Sequence, residues 1–114
     1  MLTDVDFDGL YDIADGDEEF LFSILLVIEK NLKEYPSEMT ALLNNNAILE
    51  FGKKAHKLKS STAYLGHQEL EELLIFMEDA LNHEKTELEE KLKQLTMLSE
   101  AVLVNIHKKI EELS

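Results

Sequence analysis

The residues best equipped for chemistry lie in the window 51–68. His56 stands at the border of the apolar stripe Ile48, Phe51, Ala55, Leu58, Thr62, Leu65, neither inside it nor in the middle of the polar face. On a helix its axial neighbours are Gly52 at i−4, Lys59 at i+3, Ser60 at i+4 and Ala63 at i+7. A neutral imidazole nitrogen is a competent nucleophile near neutral pH. A lysine one turn on can stabilise negative charge that develops beside it. Gly52, Ser60 and Ala63 make the strip flat enough for a second macromolecule to press against the imidazole. A glycine inside a helix costs about 1 kcal/mol relative to alanine, and clearance for such a partner is the reason expected for Gly52.

These side chains must be held by helices, because the apolar spacing is helical almost throughout. Residues 3–14 form a short helix with Phe7, Leu10, Tyr11 and Ala14 on one face. Gly16 ends it and Asp17 caps the next. The second helix covers about 18–43, and Pro36 predicts a kink or brief break near 32–36. Phe20, Phe22 and Val27 lie off its main stripe, so the first helix is their expected cover. Asn44-Asn45-Asn46 is a turn with a ready N-cap. The third helix, 47–65, is closed by Gly66. The fourth, 68–82, buries Leu70, Leu73, Leu74, Met77 and Leu81. The fifth, 86–113, opens on the capping-box pair Thr86 and Glu89. The expected architecture is all-α: an antiparallel four-helix up-down bundle with a short N-terminal lid helix, one domain over residues 1–114.

Composition agrees and narrows the functions. Four glycines and one proline in 114 residues are too few for a turn-rich sandwich or barrel. Leu, Glu, Lys and Ala make up about half of the chain, as in long helices. There is no cysteine, hence no disulfide, thiolate metal site or thiol nucleophile. A formal net charge of −13 repels phosphate backbones and anionic lipid, which argues against nucleic-acid and membrane partners. The longest apolar run, 20–28, is shorter than the roughly 20 residues a bilayer requires. It follows acidic residues where a signal peptide carries basic ones. The chain reads as soluble, cytoplasmic and monomeric. It starts at Met1 without a linker-like tail, which leans towards a free-standing protein.

His56, Leu58, Lys59, Ser61, Leu65 and Gly66 together resemble the signature of histidine-containing phosphotransfer (HPt) domains, His-x-Leu-Lys-Gly-Ser/Ala-Ser/Ala-x-x-Leu/Ile-Gly. Ser60 departs from it, standing where the family prefers glycine, but is still small. The resemblance covers the whole chain, from lid helix to last helix. It implies a phosphorelay carrier. His56 would accept a phosphoryl group from an aspartyl phosphate on a receiver domain and pass it to another receiver. Lys59 would stabilise the phosphoryl oxygens. The family tends to carry Gln or Glu twenty-two residues after the histidine. That position is Glu78 here, able to accept the Nδ1–H of His56 and leave Nε2 to attack. The implied partners are response-regulator receiver domains, including that of a hybrid sensor kinase. No cofactor is expected on this chain, the Mg²⁺ belonging to the receiver. No Gly-rich loop for ATP is present, so the chain is read as a carrier rather than a stand-alone enzyme. The competing reading is a helical binding module that docks receiver or kinase domains and carries no phosphate.

Charge supports docking by an acidic partner. The window 51–68 has no acid and four lysines, Lys53, Lys54, Lys57 and Lys59. It carries +4 and leaves −17 on the rest of the chain. Receivers, as the resemblance implies, present a cluster of aspartates, which such a window would steer. His67, His83 and His107 read as ordinary, and His83 with Glu84 and Glu87 lacks a second histidine at metal-binding spacing.

Overall fold

The computed structural model describes residues 5–114, and among these there is no strand. Thr3, the expected start of the first helix, lies outside the described residues. Five α-helices follow in order: α1 Asp8–Ala14, α2 Glu18–Asn44, α3 Ile48–Thr62, α4 Gln68–Glu78 and α5 Lys85–Leu113. Single 3₁₀ turns, Ala63–Leu65 and Ala80–Asn82, follow α3 and α4. No helix among the described residues is long and apolar enough to cross a membrane.

Local chemistry sets most of the boundaries. Asp15 (φ 49°) and Gly16 (φ 84°) end α1 in left-handed backbone. The Asp17 carboxylate then accepts from the Phe20 N–H at 3.0 Å and caps α2, with Glu18 and Glu19 adding favourable charge in the first turn. Gly66 closes the 3₁₀ turn after α3 with φ 62°. A side chain there would also strike Asp6, whose Cβ lies 2.8 Å from where a Gly66 Cβ would stand. The N–H of Asp6 donates to the Leu65 carbonyl at 2.8 Å, so the segment before α1 is clasped to the end of α3.

Tertiary contacts move four of the expected features. First, α2 runs unbroken through Pro36. An interior proline costs about 3 kcal/mol, but Pro36 is buried within the stripe Leu32, Met39 and Leu43, and that burial offsets the lost hydrogen bond. Second, Asn46 does not cap α3. It takes left-handed backbone (φ 57°) and its Oδ1 accepts from Lys85 Nζ at 3.1 Å, which leaves Ala47 at the N-cap without a side-chain bond. Third, α4 stops at Glu78. The 3₁₀ turn that follows re-aims Leu81, which is 70% exposed instead of buried. Fourth, α5 is capped by Glu84 with Glu87, not by Thr86 with Glu89. The His83 ring stacks on Phe76 at 3.7 Å, holding the chain extended at His83 and starting the helix earlier.

The core stripe of α3 is as expected: Phe51, Ala55, Leu58 and Thr62 are buried against α2 and α4. The α2–α3 seam is pinned by Asn31 Nδ2 donating to Ser61 Oγ (2.5 Å) and by the Lys54–Glu38 ion pair (3.2 Å). The α2–α5 seam carries Glu29–His107 (2.6 Å) at one end and Asn46–Lys85 at the other. The short α1 buries Leu10 and Ala14 but does not cover Phe20 and Val27, which stay 46% and 55% exposed. It packs instead on the start of α2 and on the 3₁₀ turn after α3.

Phe51 is fully buried in the first turn of α3. Phe51→Ala is expected to destabilise the protein by about 3–5 kcal/mol through lost transfer energy and a residual cavity. Urea unfolding monitored by helical circular dichroism checks this; a loss below about 1 kcal/mol would contradict the packing.

Candidate functional site

His56 projects from the middle of α3, its side chain 61% exposed. Its Nδ1 lies 3.3 Å from Glu78 Oε2, at the last residue of α4. Lys59, one turn along α3, donates to Oε1 of the same carboxylate at 3.1 Å and forms an ion pair with Oε2 at 2.5 Å. The end of α4 thus delivers one anion to two cationic or potentially cationic partners on α3. The Lys59 hydrogen bonds hold the Glu78 carboxyl below its usual 4.5, against the opposing effect of burial, with His56 adding to the lowering.

An ionised carboxylate can only accept, so the Glu78 carboxylate 3.3 Å away favours the imidazole proton on Nδ1. Nε2 then carries the lone pair, on an exposed ring. A histidine in this tautomer is a nucleophile with its far nitrogen oriented by an anion, the arrangement that stabilises positive charge formed on the ring when Nε2 makes a bond.

The remaining expected residues divide. Lys53, Lys57, Ser60 and Ala63 are exposed around His56. The Ser60 hydroxyl donates back to the His56 carbonyl at 3.2 Å, which keeps the strip flat. Lys54 is turned away from the strip. Its ammonium pairs with Glu38 and sits 4.1 Å over the Tyr35 ring, so its charge is spent on α2. Lys59 is not a free cation either, being held by Glu78. Gly52 is not open surface. It is buried, and the Glu78 carbonyl oxygen lies 2.9 Å from where its Cβ would stand. The helical periodicity put Gly52 on the row of His56, but the end of α4 covers that part of the row.

The sequence reading missed an apolar groove of about 310 Å³ on the other flank of the strip, lined by Leu10, Ile13, Ile24, Val27, Ser60 and Tyr64 among others. It joins α1, α2 and the turn after α3 to the edge of the histidine strip. Its signal in the sequence is Val27, an apolar residue off the main stripe of α2 that was expected to lie under the first helix.

The other histidines have structural partners. The Nδ1 of buried His67 accepts from the Leu70 N–H at 3.2 Å and caps α4. His83 is stacked between α4 and α5, 3.8 Å from both Asp79 and Glu87. His107 pairs with Glu29.

Glu78 makes a measurable acid limb. Its carboxyl titrates below the ordinary value in the folded protein, so the stabilisation is present above pH 4.5 and is lost as pH falls through the folded value. Glu78→Gln is therefore expected to cost roughly 0.5–1 kcal/mol at neutral pH, with the gap to wild type closing in acid. Paired denaturant titrations across pH check this; a gap that is constant or widens below pH 4.5 would contradict the ion pair.

The family model described as Hpt domain matches residues 23–113. Searches of the curated proteins and of the solved structures returned no significant match.

Proposed function

Since the chain belongs to the Hpt domain family, a family of phosphorelay carriers, we propose that His56 is its phosphoacceptor, taking a phosphoryl group from a receiver-domain aspartyl phosphate and handing it to a second receiver. The observation that carries this reading is the Glu78 carboxylate at 3.3 Å from Nδ1 of an exposed imidazole, with Lys59 bound to the same carboxylate. The order of the cross-helix pairs also supports the antiparallel up-down bundle: along α2 and the turn after it, rising numbers meet falling numbers on both α3 and α5.

In the forward step the Nε2 lone pair forms the N–P bond while the P–O bond to the receiver aspartate breaks. The aspartate carboxylate leaves with the electron pair. The proton stays on Nδ1, so the product is a phosphoimidazolium whose positive charge lies against Glu78. The return step reverses these bonds on a second receiver. The transition state is loose, with charge on the equatorial oxygens, so positioning and charge stabilisation dominate. Lys59, kept at the site by Glu78, is the cation assigned to those oxygens. The Mg²⁺ and the acidic pocket belong to the receiver.

The receiver docks across the flat strip at Ser60 and Ala63 and into the groove at Ile13, Val27 and Tyr64. These are exposed apolar side chains beside the exposed cations Lys53 and Lys57. Incubation with a receiver phosphorylated on aspartate tests the reading: the chain is expected to gain an acid-labile, base-stable phosphoryl label. A receiver that binds the chain and leaves it unlabelled would assign it to the non-phosphorylated binding modules instead.

A further inference from the structure

Gly52 occupies the second turn of α3, where a glycine weakens the helix and the surrounding contacts must favour it. Those contacts belong to the end of α4. A Cβ at position 52 would stand 2.9 Å from the Glu78 carbonyl oxygen, closer than side-chain carbons approach backbone, and 3.7 Å from the Ala80 Cβ. The backbone of Glu78 therefore reaches its present distance from α3 only because residue 52 has no side chain.

That distance governs the carboxylate. His56 lies one turn beyond Gly52 on α3, and Lys59 nearly a further turn on. A helical Cβ leans towards the N-terminus of its own helix. On α4, which returns along α3, this carries the Glu78 side chain from the level of Gly52 up to His56 and Lys59. Lys59 has a long flexible stem and can follow a displaced carboxylate. The imidazole is short, and its 3.3 Å contact is already longer than a charge-assisted hydrogen bond, so it has no slack. Any retreat of the Glu78 backbone breaks the histidine contact first.

We propose that Gly52 is a positioning residue for His56: by letting the end of α4 close on α3, it holds the Glu78 carboxylate on Nδ1 and keeps the reactive lone pair on Nε2. The inference rests on the reading that His56 reacts through Nε2. Its test uses no receiver, so a failure of the relay reading would leave the result standing.

The imidazole tautomer of His56 is read by two-bond ¹H–¹⁵N NMR on the full chain, at a pH where the ring is neutral. Wild type is expected to hold mainly the Nδ1–H form. Gly52→Ala, folded and with an unchanged cooperative unfolding transition, is expected to shift His56 from majority to minority Nδ1–H, towards the Nε2–H form that free histidine prefers. Glu78→Gln in the Gly52 background is the control and should weaken the same preference by removing the anion. The His67 and His107 signals should not move. A wild-type ring in the Nε2–H form would overturn the proposal, as would an unchanged tautomer in folded Gly52→Ala. A Gly52→Ala chain without cooperative unfolding would do so too, because it would assign the glycine to the fold alone.

Discussion

His56→Gln is expected to leave the helices and the unfolding midpoint almost unchanged while reducing phosphoryl acceptance to background. The side chain is largely exposed and its one polar partner among the described residues is Glu78. Surface replacements of this kind change stability by about 0.5 kcal/mol or less. The chemistry, by contrast, has no substitute. Glutamine keeps the size and can still meet Glu78 through its amide, but offers no nitrogen lone pair able to attack phosphorus. Nor can another histidine take over. The Nδ1 of His67 is occupied as the cap of α4 and its ring is buried, His83 is stacked on Phe76, and His107 is bound by Glu29 through Nε2. Labelling from a phosphorylated receiver, run beside thermal unfolding of the same sample, checks both halves. Residual labelling in a folded His56→Gln chain would move the site.

Reversing the two exposed lysines beside the strip is expected to act on encounter rather than chemistry. Lys53 and Lys57 stand in solvent, whereas Lys54 and Lys59 are committed to Glu38 and Glu78. The steering field of the +4 window on a strongly acidic body therefore resides chiefly in these two residues. Lys53→Glu with Lys57→Glu should slow association with an acidic receiver by at least about tenfold at low ionic strength. The difference should shrink as salt is raised, since the Debye length is about 8 Å at physiological strength. The transfer rate inside the formed complex should hardly change, because neither lysine touches His56 or Glu78. Stopped-flow association over a salt series, with single-turnover transfer measured in parallel, separates the two. Equal on-rates at low salt would reduce the lysine window to a solvated face.

What could be read in the sequence was set by local chemistry. Asp17 caps α2 and Gly66 closes the 3₁₀ turn after α3 because each answers to its own backbone and its immediate neighbours. The signature stretch was legible for a related reason, although most of it serves the fold. Leu58 and Leu65 are core, Ser61 binds Asn31, and Gly66 makes the left-handed turn against Asp6. His56, Lys59 and Ser60 carry the pattern to the histidine strip. Features decided by a second helix were misjudged. Gly52 was placed by the period of α3 and Lys54 by the run of lysines around His56, and α4 and α2 respectively claimed them. Pro36 was weighed by its backbone cost without the burial that offsets it. Val27 was expected under α1 because nothing local reveals that α1 leaves it uncovered, and the groove beside Ser60 includes that uncovered residue.

The central claim is that phosphorus bonds to one atom, Nε2 of His56. The most direct measurement is ¹H–³¹P and ¹H–¹⁵N NMR of the chain after incubation with a phosphorylated receiver, with mass mapping of the labelled peptide. The expected result is one phosphoryl group on the peptide containing His56, bonded at Nε2, with the proton retained on Nδ1 beside Glu78. Phosphate at Nδ1, on another histidine, or absent from a chain that still binds the receiver would contradict the account.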